Sequence, residues 1–271
     1  KGGVRMKIAF WGGSHRCGTT SSMTAVASYL TLHSEKSGIC VQPKEGGSDL
    51  ELFFRPWEAH MMLHEESTYY ALEGMDYLIW QEQHHRLDES VIRETLVPLS
   101  GGRLCYLPSG AREKPGLYPA QTGALQRRIL AQLEACADMV FMDLGTVRDG
   151  LAGSMMELAD VVVVNLCGQQ KELEMFFEQP FAMRKNVVYL LSNYMDDQVY
   201  NRDNLQRIYR VDKHRICNLS SNVGFAHACM HGKVDRFIQR NGGTQGVRRN
   251  ARFFEQLRHL SNLIMEVGGC E

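Results

Sequence analysis

The chain has 271 residues, long enough for one large α/β domain or two small ones, and its 44% hydrophobic and 23% charged content is ordinary for a soluble globular protein. Lys plus Arg number 30 and Asp plus Glu 31, a net charge of -1 that excludes a broad electrostatic grip on nucleic acid or anionic lipid. No apolar run reaches the length of a bilayer span and no signal peptide precedes the first strand, so no transmembrane segment is expected and the expected compartment is the cytoplasm.

Lys1 to Arg5 carry no apolar pattern and read as a linker. Met6 to Trp11 is the first predicted strand, and Thr20 to Leu32 the first helix, with Met23, Val26, Ala27 and Leu30 on one face. Ile39 to Val41 is a short second strand. Residues 50–100, rich in His, Glu and Met, read as inserted helices. Leu104 to Leu107 is the next strand, stopped by Pro108. Met139 to Met142 and Val161 to Val164 are nearly continuous apolar runs, the mark of strands buried on both faces of a parallel sheet. Val187 to Leu191 repeats that pattern, and Arg215 to Cys217 is a last short strand. Helical patterns fall at about 122–135, 169–179, 202–210, 224–239 and 249–267. Strand and helix alternate throughout, with no internal linker and no repeat. The expected class is therefore α/β, one domain over 1–271 with a doubly wound, mainly parallel sheet and helices on both faces.

A phosphate-binding loop needs glycines after a strand, so that backbone N–H groups converge on the anion, and a helix starting there whose dipole favours negative charge. Gly13-Ser14-His15-Arg16-Cys17-Gly18-Thr19-Thr20-Ser21 stands in that place and keeps the glycine spacing of G-x-x-x-x-G-K-[ST]. Thr20 falls where a hydroxyl binds magnesium, but Thr19 stands at the lysine position. A lysine there sets a positive charge on the β- and γ-phosphates, and its loss predicts weaker binding and a transfer slowed by roughly a hundredfold to a thousandfold. Arg16, inside the loop, is the candidate substitute charge. The competing reading is a strand-to-helix turn with no ligand.

Met139 to Gly145 is an apolar strand ending in Asp-x-Gly. Ala159 to Val164 and Val188 to Tyr194 are further strands, and Phe225 to Lys233 is a helix after the last one. With the loop, these segments resemble the ParA/MinD superfamily of phosphate-loop ATPases over nearly the whole chain. The resemblance implies ATP and Mg2+ as cofactors and a homodimer that forms around the nucleotide. It gives Asp143 the magnesium-bound water near the γ-phosphate and Thr20 the metal. Asn193 would read adenine, its amide offering a donor and an acceptor together, and backbone around Asn218 and Leu219 would touch the base. Ser14 stands where the superfamily has its signature lysine, so contacts across the dimer lose that charge too. Within the superfamily, Thr19 and the acidic, glycine-containing segment from Lys44 to Phe54 are similar to the TadZ/CpaE-like branch. That branch implies pilus-assembly or polar-localisation partners and a receiver-like domain before the ATPase. Glu45 and Asp49 read as surface carboxylates, with water-positioning acids as the alternative.

Other signals are weaker. The eight cysteines include no C-x-x-C pair and read as reduced, buried thiols rather than a disulfide frame, a zinc site or a bridging iron–sulfur site. His60, His64, Glu65, His84 and His85 lack converging metal-ligand spacing. Phe253, Phe254, Leu257, Leu260, Leu263, Ile264 and Val267 form an apolar stripe on the last helix. It is expected to pack on the sheet, since its polar face lacks the basic bias of a membrane-binding helix. Arg248, Arg249 and Arg252 are the local basic run, read as a solvated face. Three functions stand: an ATP-dependent regulatory protein with weak or no hydrolysis, a nucleotide-free scaffold, and a DNA-partition ATPase.

Overall fold

The computed structural model describes residues 5–43, 49–56, 73–99, 101–108, 122–146, 150–179, 184–243 and 248–269. Strand β1 (Met6–Gly12) leads into helix α1 (Thr19–His33) and strand β2 (Gly38–Val41). The region expected to hold inserted helices contains a single turn, α2 (Glu51–Phe54), helices α3 (Gly74–Gln83) and α4 (Glu89–Thr95), and the two-residue strand β3 (Val97–Pro98). Strand β4 (Leu104–Tyr106), helix α5 (Thr122–Cys136), strand β5 (Met139–Asp143) and helix α6 (Gly150–Leu158) follow. Next come β6 (Val161–Leu166), α7 (Gln170–Phe177), β7 (Val187–Tyr194), α8 (Arg202–Tyr209) and β8 (Ile216–Ser220). Helices α9 (Val223–Met230), α10 (Val234–Asn241) and α11 (Ala251–Val267) close the chain.

The strands form one sheet in the order β3-β4-β2-β5-β1-β6-β7-β8. Every neighbouring pair is parallel except β3 with β4. Side chains alternate across such a sheet, so each strand feeds two apolar layers. Ile8, Phe10, Phe141 and Val163 face the layer of α1, α10 and α11, whereas Ala9, Trp11, Val140 and Val164 face the layer of α3 to α8. Each large side chain buried this way contributes about 1.5–3 kcal/mol. Helix α1 is covered on its outer side by α10 and α11, which is why Ser22, Thr24, Ser28 and Thr31 are buried along with the expected Met23, Val26, Ala27 and Leu30. Because β1 sits between β5 and β6, the loops leaving the C-terminal ends of the parallel strands gather on one edge, where open α/β sheets place ligands.

Three departures from the sequence pattern have local causes. The helix expected at 224–239 is two helices, α9 and α10, broken at Gly232. Gly232 has φ 60°, and a Cβ there would lie 2.0 Å from the backbone of Arg55 at the end of α2. The close approach of two chains requires glycine and a turn. Helix α6 was not expected, since Gly150 and Gly153 weaken its helical pattern. The last helix starts at Ala251 after a 3-10 turn over Arg248–Asn250. Of its stripe, Phe253, Leu257, Leu260, Leu263 and Ile264 are buried on the sheet side, and Phe254 and Val267 are half-buried against the same core. No helix among the described residues is long and apolar enough to cross a membrane.

Candidate functional site

The loop between β1 and α1 is fastened at its base to both neighbouring strands. The Gly12 amide donates to the Gly145 carbonyl at 2.8 Å and the Gly13 amide to the Asn165 carbonyl at 3.0 Å. Gly18 takes the left-handed conformation, φ 77° and ψ 25°, at the N-cap of α1 and supplies no side-chain cap. The first-turn amides of a 15-residue helix, which have no carbonyl four residues back, thus open towards the loop, as an anion requires. Above them lies a cavity of about 540 Å³ lined by His15 to Ser22, Gln42, Thr146, Asn193, Leu219 and Ser220, among others. This volume suits a nucleotide-sized ligand.

One corner of the cavity is a closed hydrogen-bond network. Asp143, at the C-terminal end of β5, is fully buried. Its Oδ2 accepts from Thr20 Oγ1 at 2.6 Å and from Gln42 Nε2 at 2.9 Å, and its Oδ1 from the Gly145 amide at 3.0 Å. Those donors replace the water that a buried carboxylate loses. Gln42 Oε1 in turn accepts from the Asp49 amide at 3.0 Å, tying the segment after β2 to the acid. Thr20 and Gln42 line the cavity while Asp143 stands behind them, so its influence on a ligand passes through those two side chains. Glu45 lies outside the described residues, and exposed Asp49 lies on the cavity wall.

The loop's side chains carry little charge. Thr19 is buried with its hydroxyl 3.4 Å from Cys17 Sγ, and Ser14 Oγ donates to Cys167 Sγ at 3.8 Å. Neither lysine position therefore delivers a cation. Arg16, exposed and left-handed at φ 63°, is the one Lys or Arg among the described lining residues. His15 Nδ1 meets Thr146 Oγ1 at 3.1 Å, joining the loop to the turn after β5. Hydrogen bonding, first to Cys167 and then to Thr19, holds the Cys17 thiol down at about 7 against the opposing effect of burial. Hydrogen bonding to Cys17, then burial, pushes Cys167 up. Burial likewise raises Glu172, whose carboxylate accepts the Cys167 amide at 3.1 Å.

At the other end, Asn193 closes β7 in a left-handed conformation, φ 52°, beside Gly18. Leu219 lines the cavity, but Asn218, its neighbour on β8, does not. Period-two alternation sends these two side chains to opposite faces of the sheet. Ser220 Oγ is buried in the cavity wall with no hydrogen-bond partner among the described residues, leaving a polar group for a ligand. Asn165, at the end of β6, donates to Ser22 Oγ at 2.9 Å and to Ser192 Oγ at 2.8 Å, holding α1 and β7 together beneath the loop.

The loop residues His15 to Ser21, Asn193 and Leu219 thus share one cavity. Gly13, Ser14, Asp143 and Asn218 do not line it. Sequence reasoning missed Gln42, Asn165, Thr146, Cys167 and Ser220. Gln42, Asn165 and Ser220 stand at or just beyond the C-terminal ends of predicted strands, a position that could have marked them. Of the histidines considered, His84 Nδ1 meets the Trp80 carbonyl at 2.7 Å, and His60, His64 and Glu65 lie outside the described residues.

No protein-family model matches the chain, and no curated protein matches it in sequence. Solved structures do match. A ParA family ATPase from Chlorobium tepidum TLS is 10% identical with a TM-score of 0.68, covering 96% of this chain and 98% of its own. The septum site-determining protein MinD from Pyrococcus horikoshii OT3, complexed with Mg-ADP, is 11% identical with a TM-score of 0.68, covering 98% of each chain. A plasmid partition protein from Borrelia burgdorferi B31, bound to AMPPNP, is 11% identical with a TM-score of 0.66, covering 97% of this chain and 99% of its own. The chain has the fold of the ParA/MinD ATPases, an eight-stranded, mostly parallel sheet wrapped by helices.

Proposed function

We propose that the chain is an ATP-binding regulatory or localisation protein of the ParA/MinD type, with weak or no hydrolysis. The observation that carries this reading is the loop itself. Its main-chain cradle at the start of α1 is intact, with Gly18 left-handed above the cavity, while Thr19 turns its hydroxyl to Cys17 instead of offering a charge. Anion binding by backbone amides needs no lysine; acceleration of phosphoryl transfer does.

The residues fit a magnesium nucleotide. The Thr20 hydroxyl and the Asp143 carboxylate are oxygen donors of the hard kind that Mg2+ takes, and the unpartnered Ser220 hydroxyl waits in the cavity wall. Bound Mg2+ would neutralise charge on the phosphate oxygens. Thr20 would hold the metal side of the ligand, Asp143 and Gln42 would orient Thr20, and Asn193 and Leu219 would form the base end. Arg16 is the candidate compensating charge. The likeness in fold to proteins solved with Mg-ADP and AMPPNP supports this assignment.

The finer reading is a single domain over 1–271, cytoplasmic and homodimeric, of the TadZ/CpaE-like branch with pilus-assembly or polar-localisation partners. The DNA-partition alternative has less support, because Arg252 is paired with Asp196 at 2.6 Å and only Arg248 and Arg249 remain of the basic run. Salt-dependent, sequence-independent retention on DNA would restore it.

Calorimetry with ATP and magnesium tests the proposal against a Gly18→Val variant. A β-branched residue cannot hold the left-handed conformation without strain of about 1–3 kcal/mol and would close the cradle. Micromolar binding in the native chain that disappears in Gly18→Val is expected. Absence of binding in the native chain overturns the proposal in favour of the nucleotide-free scaffold.

A further inference from the structure

Helix α9 is anchored on one side and open on the other. Phe225 and Ala228 are buried, and Cys229 lines the cavity. His227 and His231 lie on the outer side, exposed and four residues apart, a spacing that sets one side chain above the other. Their rings are in contact, with centroids 4.0 Å apart and planes 21° from parallel. His231 is the C-cap residue, and the chain turns away directly after it at the left-handed Gly232. A spacing of H-x-x-x-H is a poor indicator by itself, because two side chains on one helix face need not meet. Here a hydrogen bond fixes more than the spacing does. His231 Nδ1 lies 2.9 Å from the His227 carbonyl oxygen. A carbonyl oxygen can only accept, so Nδ1 carries a proton and Nε2 of the neutral ring holds the lone pair. Metal-binding imidazoles are oriented in this way, one ring nitrogen donating to a carbonyl while the other faces the metal. No described residue hydrogen-bonds the ring of His227, which is free to present either nitrogen. His33 and His84 are committed elsewhere: both ring nitrogens of His33 lie 2.9 Å from carbonyl oxygens, and His84 packs on Trp80.

We propose that His227 and His231 form an open chelating site for a divalent transition-metal cation, with Cu2+ held most tightly. Two imidazole nitrogens bound at about 2.0 Å on adjacent corners of a square-planar ion stand about 2.8 Å apart. Rings already in contact at 4.0 Å reach that separation by side-chain rotation, with no change in the helix. Among the described residues no group of three or more His, Cys, Asp or Glu could hold a metal, so the protein supplies two nitrogens and water takes the remaining positions. Imidazole nitrogens pass over Mg2+ and Ca2+, which take oxygen. At nitrogen sites the divalent affinities rise from Mn2+ through Ni2+ to Cu2+ and fall again at Zn2+, which ranks the ions expected here. The pair also sits at the C-terminal end of α9, where the negative end of the helix dipole favours a cation. The chelate bridges the last turn of α9 and holds that turn closed.

The site needs no nucleotide, so its test is separate from that of ATP binding. The full chain, free of any affinity tag, is titrated with Ni2+ by calorimetry in a neutral, non-chelating buffer without nucleotide or magnesium. Ni2+ is the first probe because it does not oxidise thiols. One tight ion per chain is expected. His227→Ala and His231→Ala should each weaken it by at least about 10- to 100-fold, the loss that even the hydrogen-bond partners of metal ligands commonly carry. His84→Ala, on helix α3, should bind like the native chain. Both histidines of the pair are exposed, so neither substitution removes core packing. Cu2+ should displace Ni2+, and its electron paramagnetic resonance spectrum should show coupling to two imidazole nitrogens, falling to one in each single variant. Binding of native strength in either variant places the ion on other side chains and overturns the chelate. Coupling to a single nitrogen in the native chain, or no binding to the native chain, overturns it as well.

Discussion

At the loop, the groups placed to hold an anion are main-chain amides, oriented by the left-handed Gly18 and by the start of α1. At the Asp143 corner, the donors to the acid include two side chains, Thr20 and Gln42, beside the Gly145 amide. The difference lies in what each region can lose. A cradle of amides keeps its shape when the residues at 14 and 19 change, because their side chains do not build it. A network of side chains around a buried charge loses acceptors and donors together when one member changes. The first region holds Arg16 as the one Lys or Arg among the described lining residues, and the second ties a buried acid to Thr20, Gln42 and Gly145.

The strongest way to break the contrast is to remove the acid. Asp143→Ala leaves the Thr20 hydroxyl, the Gln42 amide and the Gly145 amide without their acceptor in a buried corner. It should lower the unfolding free energy by about 3 kcal/mol or more, measured by urea denaturation. A loss below about 1 kcal/mol would show that the corner is no more demanding than the loop. Restoring a charge to the loop sharpens the contrast from the other side. Thr19→Lys should raise ATP affinity about tenfold, near 1.4 kcal/mol, with little change in fold, and calorimetry reads both the gain and its absence. The smallest effect belongs to Glu172. Burial holds its carboxyl above the usual 4.5, so the folded chain binds that proton more tightly than the unfolded one. This contribution favours the fold at low pH and is lost as pH rises from 4.5 through the raised value. In Glu172→Gln, which keeps an oxygen for the Cys167 amide, a thermal-melting profile against pH should lose that part of its downward slope.

The sheet was legible because its strands are short apolar runs bounded by glycine, proline and polar residues, and the loop because its glycine spacing is local. Helix α6 was not, since a helix with Gly150 and Gly153 is formed by packing more than by propensity. The break at Gly232 depends on Arg55, far away in sequence, and no window around 232 contains that information. The candidate site divides in the same way. Thr20, Asp143 and Asn193 sit at recognisable places, whereas Gln42 owes its role to an acid 101 residues on and Asn165 to a serine 143 residues back. On β8 the strand was legible, but which of its side chains line the cavity was not: Leu219 lines it and Asn218 does not.

The left-handed Gly18 has a consequence for the history of such a chain. Recognition written in the main chain is inherited with the fold, so mutation can erase chemistry one side chain at a time while each intermediate still folds and still offers its pocket. A lineage built this way can drift from engine to signal without crossing an unfolded ancestor, and the same backbone can host a lysine again after a single substitution.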